Sequence, residues 1–205
     1  MIEMEKDSLF YEKLSFHTHP SLYEENYDGL LEAKGYSAVD KTNVMTVKLM
    51  ENVKLPTKQN SHRNVADKER GELVVTVEDK ITEAWQYYYF TFNKVSPSAV
   101  STAKKIQAKI INPVLCATVY VDKKAIACGL GVMEQGYVGL LDIVVKEEYR
   151  GRGFGKVLCQ ALLDKAKEEG ATTGYLQVVD SNTVAKKLYE GLGFKDVYNY
   201  WYRVK

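Results

Sequence analysis

The sequence contains little cysteine, little histidine and almost no net charge. Three cysteines and three histidines occur among 205 residues, and the formal net charge is +1. Cys116, Cys128 and Cys159 lie in apolar or helical segments and lack the spacing of metal ligands, so we expect reduced, packed thiols and no metal site. A net charge this close to zero argues against a broad nucleic-acid-binding or membrane-binding surface.

Long hydrophobic runs are also missing. The longest is far shorter than the ~20 apolar residues that cross a bilayer as a helix. The segment Met1–Asp7 is charged and lacks the apolar core of a secretion signal. We therefore predict a cytoplasmic protein with no membrane partner. His17, His19 and His62 have no partners at catalytic or ligand spacing, so we interpret them as surface or capping residues.

Hydrophobic residues make up 45% of the chain, which is enough for a sizeable core. Residues 21–34 have the apolar periodicity of a helix that ends at Gly35, and residues 36–49 have the composition of a strand. Residues 51–71 are polar and typical of a linker. We therefore predict an N-terminal lobe with its linker over residues 1–71 and a main domain over residues 72–205.

The main domain is predicted to contain more strands than helices. The predicted strands cover residues 72–77, 114–121, 125–133, 137–145, 175–179 and 194–204. A helix is expected over Thr82–Phe92, with its aromatic residues in the core, and another from Ser98 to about Ile111. Hairpins come early and a strand–helix–strand unit comes late. This order favours a mixed α+β sheet over a doubly wound one.

A weak internal echo links the two ends of the chain. Residues 27–49 and 189–204 each show a helix end, a glycine followed by an aromatic residue, and a strand. Both a degenerate duplication and chance are compatible with so short a pattern. The first segment has no glycine loop of its own, so we predict one ligand site.

A loop rich in glycine and arginine follows the predicted strand 137–145 and leads into an apolar-periodic helix. A Walker A loop is excluded because its first glycine falls on Arg150 and its final Ser/Thr on Val157. A dinucleotide fingerprint matches Gly151 and Gly153, but its third glycine falls on Lys156. Neither nucleotide-binding pattern therefore describes this loop.

The pattern that remains is Arg150-x-x-Gly153-x-Gly155. Gly153 and Gly155 allow the backbone to approach an anion without a clash from a Cβ atom. Arg150, Arg152 and Lys156 add positive charge at a helix start, where the dipole favours anions. A phosphate-bearing ligand is the functional interpretation. A glycine-rich turn with solvated basic residues is the structural one.

A second motif lies downstream and reads Asn182-x-x-Ala185-x-x-Leu188-Tyr189-x-x-x-Gly193-Phe194. In this order and spacing, the two motifs resemble those of the GNAT superfamily of acyl-CoA-dependent N-acetyltransferases. The resemblance covers roughly residues 73–205 and is strongest over 140–194. It implies a central, mostly antiparallel, splayed sheet flanked by helices, with acetyl-CoA as the co-substrate and no metal. For residues 1–71 it suggests a degenerate, GNAT-like N-terminal half.

The resemblance also implies roles for individual residues. The end of the strand would offer backbone groups to pantetheine, and the loop amides would hold the pyrophosphate at the helix start. The Val145 N–H would stabilise the developing oxyanion. Tyr189, on one helix face with Asn182 and Ala185, would contact the donor and protonate the departing thiolate. The residues implied in donor binding are Ile143, Val144, Val145, Arg150, Gly151, Arg152, Gly153, Phe154, Gly155, Lys156, Asn182, Ala185 and Tyr189.

The acceptor side stays open at the level of sequence. Glu134, Asp142 or a water held by either is a candidate base, although each carboxylate is also typical of a surface charge. Tyr198, Tyr200 and Tyr202 share one strand face, and they suit either sheet packing or an acceptor pocket with Arg203 as an anion contact. The aromatic final strand is compatible with a homodimer edge. A catalytically weak acyl-CoA-binding or partner-binding module is the alternative function.

Overall fold

The computed structural model describes residues 15–18, 27–49 and 72–205. Eight strands and five α-helices lie in these ranges, with one 3₁₀ helix between β6 and α4. In chain order they are β1 Ser15–Thr18, α1 Tyr27–Ala33, β2 Ser37–Lys48, β3 Leu73–Glu78, α2 Glu83–Phe92, α3 Pro97–Gln107, β4 Val114–Val121, β5 Lys124–Glu134, β6 Tyr137–Val145, the 3₁₀ helix Glu147–Tyr149, α4 Phe154–Glu168, β7 Thr173–Val179, α5 Thr183–Glu190 and β8 Lys195–Val204.

The predicted elements of the main domain are present with small shifts at their ends. The strand predicted over residues 137–145 has the predicted bounds. The helix predicted from Ser98 to Ile111 instead begins at Pro97 and ends at Gln107, because Pro97 suits the first helical position. β1 was not predicted, and the linker assigned to 51–71 lies outside the described residues. No helix in the described ranges combines the length and hydrophobicity of a membrane span.

The chain forms two compact units. Among the described residues, the first comprises 15–18, 27–45, 177–187 and 195–205, and the second comprises 46–49, 72–176 and 188–194. In the first unit the strand order is β1-β8-β2-β7, and in the second it is β2-β7-β6-β5-β4-β3. β2, β7 and α5 contribute residues to both. The predicted boundary at residue 71 falls outside the described residues and stays a prediction.

In the first unit, the buried side chain of Arg203 on β8 forms hydrogen bonds with α1. The Arg203 guanidinium donates to Asp28 through Nε at 2.8 Å and Nη2 at 2.7 Å, and to the Tyr36 carbonyl at 3.1 Å. Trp201 Nε1 donates to the same carboxylate at 2.7 Å. Bidentate pairing of this kind is both strong and directional. It therefore favours the packing interpretation of Arg203 over an anion contact.

The sheet of the second unit is mostly antiparallel, as predicted. β3, β4, β5 and β6 form successive antiparallel pairs, and β6 pairs with β7 in parallel. The β6–β7 ladder comprises three residue pairs and stops at Gly139 and Tyr175, although both strands continue in the described chain. The sheet therefore opens beside the second half of β6, in agreement with the predicted splay.

Helices cover both faces of this sheet. A Cβ atom placed on Gly129 would lie 3.3 Å from Leu158 of α4, and one on Gly131 would lie 3.5 Å from Leu162, so α4 lies close against β5. On the other face, α2 places Trp85 in a core cluster whose buried members are Trp85, Phe92, Cys116, Cys128, Leu130 and Val144. The three cysteines are buried free thiols, each with a pKa raised by burial to about 12.

The N-termini of α2 and α3 differ in whether the cap side chain accepts from a backbone N–H, and this difference predicts different stabilities. Thr82 Oγ1 accepts from the Trp85 N–H at 3.2 Å, whereas Ser96 makes no side-chain cap bond. Loss of a capping bond costs about 1 kcal/mol. We expect Thr82→Ala to lower the free energy of unfolding by about that amount in urea titrations.

Ser96→Ala is the matched control, since it removes a hydroxyl from the same helix position and loses an exposed contact with the Ser98 hydroxyl but no cap bond. We expect Ser96→Ala to lower the free energy of unfolding by less than about half as much as Thr82→Ala does. Equal losses for the two variants would contradict the capping argument.

Candidate functional site

The loop between β6 and α4 has a backbone that only glycine adopts readily. Gly151 has φ of 73° and Gly153 has φ of 84°, and both values lie in the left-handed region. Gly153 is the N-cap of α4, so the helix begins without a side chain at its cap. Nothing lies within 4 Å of a Cβ atom placed on either glycine. The backbone at this helix start is therefore open on the side of these positions.

Several N–H groups of this loop have no backbone acceptor among the described residues. The Arg150 N–H donates to the Glu147 carbonyl, and the Lys156 and Val157 N–H groups donate to Gly153. For the consecutive N–H groups of residues 151–155, the described part of the chain supplies no such carbonyl. Clustered orphan N–H groups at the positive end of a helix form an anion site. Within the segment 150–156 implied by the sequence motif, the N–H groups without such an acceptor are those of residues 151–155.

The three cations of the loop have fixed positions. Arg150 Nε donates to the Val145 carbonyl at 3.1 Å, which ties the loop to the end of β6. The Arg152 guanidinium lies 5.5 Å from the Tyr149 ring centroid. Lys156 Nζ donates to the Gly191 carbonyl at 3.0 Å. These contacts hold positive charge around the orphan amides, where it complements an anion.

β6 carries a β-bulge three residues before its end. Cys128 pairs with Val144 and Leu130 pairs with Leu141, so two residues of β6 stand opposite Gly129 alone. Asp142 is one of them, with φ of 54°. The other is Ile143, whose Cδ1 would lie 2.6 Å from a Cβ atom on Gly129. Bulges of this kind redirect side chains and are common beside active sites.

The backbone of Val145 is turned away from β5. The Lys146 N–H donates to the Ile126 carbonyl at 2.8 Å, so this pair is hydrogen-bonded. The neighbouring pair of Val145 with Ala127 is then a non-hydrogen-bonded pair. In such a pair, the N–H and C=O groups point away from the partner strand. The Val145 N–H is therefore directed to the edge where the ladder to β7 has ended.

α4 and the end of α5 meet at Gly155. A Cβ atom on Gly155 would lie 2.7 Å from Leu188 Cδ1 and 3.7 Å from Val145 Cγ2. The second unit thus brings the end of β6, the start of α4 and the end of α5 together. The sequence did not predict that Leu188 approaches Gly155 closely enough to require glycine at this position. No sequence pattern signals a close approach of this kind.

Tyr189 follows Leu188 and is buried, with 9% of its surface exposed. Its ring packs edge to face with Phe194 at 5.9 Å between centroids. Burial, with a smaller contribution from Cys159, raises the pKa of Tyr189 above the ordinary value of a phenol. Its hydroxyl has no hydrogen-bond partner in the described part of the chain. Tyr189 is therefore a protonated phenol that is free to donate.

Asn182 and Ala185 belong to the first unit, and their contact with each other is structural. Asn182 Oδ1 accepts from the Ala185 N–H at 3.1 Å and so caps the start of α5. Nearby, Asp180 binds Lys186 Nζ at 2.7 Å and Asn43 Nδ2 at 2.8 Å. Asn182 of the second motif therefore has a structural role as a helix cap in addition to its predicted role at the donor.

The two carboxylates considered as bases lie in different surroundings. Asp142 is partly buried, and burial raises its pKa, while a hydrogen bond from Tyr89 lowers it. Glu134 is exposed and pairs with Tyr137 at the hairpin between β5 and β6. Tyr89 was predicted only as a core aromatic residue.

Comparison with known proteins agrees with this geometry. The model of the Acetyltransferase (GNAT) family matches residues 78–194, which is more than half of the chain. The uncharacterized N-acetyltransferase YobR of Bacillus subtilis is 40% identical over 85 residues, which make up 41% of this chain and 34% of that protein. The bS18-alanine N-acetyltransferase of Haemophilus influenzae is 43% identical over 58 residues, which make up 28% and 39%.

A solved structure shares the fold. The GCN5-related N-acetyltransferase from Sphaerobacter thermophilus superposes with a TM-score of 0.66 at 19% identity, covering 94% of this chain and 59% of that one. The segments that match YobR and the Haemophilus influenzae enzyme cover between a third and two fifths of the lengths of those proteins. The extent of the family match, with both motifs inside it or at its edge, shows that this chain belongs to the GNAT family of acetyltransferases.

Proposed function

We propose that this protein binds acetyl-CoA and transfers the acetyl group to a primary amine by direct attack in a ternary complex. The observation that carries the proposal is the run of orphan N–H groups at residues 151–155, next to the outward-facing Val145 N–H. An anion site beside a free backbone donor suits a pyrophosphate and a thioester carbonyl on one ligand. Acetyl-CoA supplies the activated acyl group, and this chain's residues hold it and move protons.

Donor binding in this proposal follows the elements around the loop. The amides of residues 151–155 hold the pyrophosphate, and Arg150, Arg152 and Lys156 offset its charge. Ile143, Val144 and Val145 line the open edge of β6 for pantetheine. The Val145 N–H donates to the carbonyl oxygen as negative charge develops on it, which is the role of an oxyanion hole. Asn182 and Ala185 are proposed to contact the donor from the start of α5.

Proton movements are assigned to two side chains. Tyr189 donates a proton to the departing thiolate, and its raised pKa keeps the proton available at neutral pH. Asp142 accepts the proton of the attacking amine through intervening water. It lies three residues from Val145, roughly 10 Å along an extended strand. Glu134 pairs with Tyr137, which is eight residues from Val145 or roughly 25 Å, and so lies too far.

The bounds of the transferase domain, the cellular compartment and the class of acceptor are also part of the proposal. The family match over residues 78–194 supports a transferase domain within residues 72–205, with residues 1–71 as an N-terminal lobe. Free, buried cysteines suit a reducing compartment, and we propose the cytoplasm. The acceptor is proposed as a primary amine of a small molecule, peptide or protein.

Calorimetric titration with acetyl-CoA tests donor binding, and a thiol-release assay with a panel of amines tests transfer. We expect Gly153→Ala to bind acetyl-CoA at least about tenfold more weakly than wild type. Alanine costs roughly 1–2 kcal/mol in the left-handed region, and its Cβ would project into the anion site.

Gly170→Ala is the matched control. Gly170 ends α4 with φ of 95° and, like Gly153, has no atom within 4 Å of a Cβ atom placed on it. Gly170→Ala should lower the free energy of unfolding about as much as Gly153→Ala does. It should bind acetyl-CoA as tightly as the wild type. Equal affinity losses in the two variants, or no heat from the wild type at high micromolar acetyl-CoA, would overturn the assignment of the donor site.

Tyr189→Phe tests the proton donor. Removing a general acid typically costs 10²–10⁴-fold in rate, so we expect a fall in kcat of about that size with little change in acetyl-CoA affinity. Tyr120→Phe, a partly buried tyrosine on β4, is the control and should keep wild-type turnover. Unchanged turnover in Tyr189→Phe would remove this residue from the mechanism.

A further inference from the structure

We propose that Lys156 is a positioning residue, which fixes the turn at the end of α5 and so holds the Tyr189 hydroxyl where it protonates the departing thiolate. The inference rests on the proposed function, because that function gives Tyr189 its role as proton donor. It gives Lys156 a second task beside offsetting the charge of the pyrophosphate. Lys156 directly follows the first motif, and its hydrogen-bond partner Gly191 lies inside the second.

α5 ends in a Schellman motif, and Tyr189 belongs to it. The Phe194 N–H donates to the Tyr189 carbonyl at 3.1 Å, and the Gly193 N–H donates to the Glu190 carbonyl at 2.9 Å. Gly193 has φ of 91°, which is the left-handed conformation that such a helix end requires. The Tyr189 and Phe194 rings make the hydrophobic contact that accompanies the motif, with 5.9 Å between centroids. The turn over residues 190–194 therefore determines where the Tyr189 side chain lies.

Lys156 supplies a hydrogen bond that the backbone of this turn does not. The two Schellman bonds leave the Gly191 carbonyl without a backbone donor among the described residues. Lys156 Nζ donates to this carbonyl at 3.0 Å. A cation at the last carbonyls of a helix also interacts favourably with the negative end of the helix dipole. Because Lys156 lies in the first turn of α4, the bond ties the start of α4 to the end of α5.

An apolar contact lies next to this hydrogen bond. A Cβ atom placed on Gly155 would lie 2.7 Å from Leu188 Cδ1, so the Leu188 side chain packs directly on the backbone of α4. Gly155 precedes Lys156, and Leu188 precedes Tyr189. The apolar contact sets the distance between the two helix ends, and the hydrogen bond, which is directional, sets their relative rotation. Together they fix the backbone from which the Tyr189 side chain projects.

The other two cations of the loop make contacts of a different kind. Arg150 bonds the end of β6, and Arg152 lies over the ring of Tyr149 in the 3₁₀ helix. Both contacts stay within the segment that leads into α4. The contact of Lys156 instead reaches the turn after α5, which carries the proposed proton donor. A role in placing that donor therefore falls to Lys156.

Lys156→Met removes the ammonium and keeps most of the apolar stem. We expect kcat to fall by about ten- to a hundredfold, since a misplacement of about 1 Å costs up to the larger factor. The Kd for acetyl-CoA, measured by calorimetry, should rise by less than about fivefold, because the ammonium is exposed and screened. A rise in Kd of about tenfold or more with unchanged kcat would overturn the proposal and leave Lys156 as a counter-charge alone.

Lys165→Met is the matched control. Lys165 lies on the same helix, and its Nζ bonds Glu169 at 3.1 Å, so the variant loses one ammonium and one contact away from α5. Its kcat should equal that of the wild type. In a Tyr189→Phe background, Lys156→Met should cause no further loss of kcat, because the hydroxyl that Lys156 positions is already absent. Equal fold losses in the two backgrounds would contradict the proposal.

Chemical rescue separates loss of the ammonium from misfolding. The three native cysteines are buried, and each has a pKa raised to about 12, so the new thiol of Lys156→Cys is the reactive one. This thiolate displaces bromide from 2-bromoethylamine, which rebuilds a side chain close to the length of lysine with its ammonium. Most of the wild-type kcat should return. Bromoethane adds the same chain without the ammonium, and equal recovery with both reagents would count against Lys156 as the donor to Gly191.

A further readout does not depend on an acceptor. Amide hydrogen exchange, followed by NMR, reports the opening of the Schellman bonds. We expect the Gly193 and Phe194 amides to exchange about tenfold faster in Lys156→Met than in the wild type, and at the wild-type rate in Lys165→Met. Unchanged exchange in Lys156→Met would overturn the proposal. Failure of the wild type to acetylate any amine would count against the proposed function, and the exchange rates would still decide whether Lys156 fixes the turn.

Discussion

The hydrogen bonding of β6 is the constraint on which the candidate site depends. On one edge, β6 pairs with β5 to its end, and on the other its ladder to β7 comprises only three pairs in the described chain. Unpaired backbone polar groups are costly when they are buried without partners. The Val145 N–H, turned away from β5, is the donor that we propose for the thioester carbonyl. The orphan amides that begin α4 follow at the end of the same strand and extend the row of donors.

The bulge of β6 connects this donor edge to the core of the second unit. At the bulge, Ile143 lies against Gly129, and Asp142 has a φ of 54°. The same burial that stabilises the sheet raises the pKa of Asp142 and, at the other side of the site, the pKa of Tyr189. In the mechanism that we propose, this carboxyl accepts the proton of the amine and this phenol protonates the thiolate.

Local features of the fold were predictable from the sequence, and features that depend on register were not. The bounds of β6 and the glycines at the start of α4 follow from hydrophobic runs and from left-handed turns, which are local. The bulge and the pairing of Arg203 with Asp28 were not predicted, because the first needs a two-against-one register and the second joins residues far apart in sequence. The family was predicted correctly from two motifs, while the residue roles those motifs imply remain proposals.

The most direct test of the central claim is an NMR titration of ¹⁵N-glycine-labelled protein with coenzyme A. The fourteen glycines give few enough resonances to assign by substitution. We expect the amide resonances of Gly151, Gly153 and Gly155 to shift the most, because these residues or their neighbours donate to the pyrophosphate. The amide resonances of Gly35 and Gly170 should stay in place. Saturable binding that leaves the three loop glycines unmoved and shifts others would contradict the assignment of this loop as the donor site.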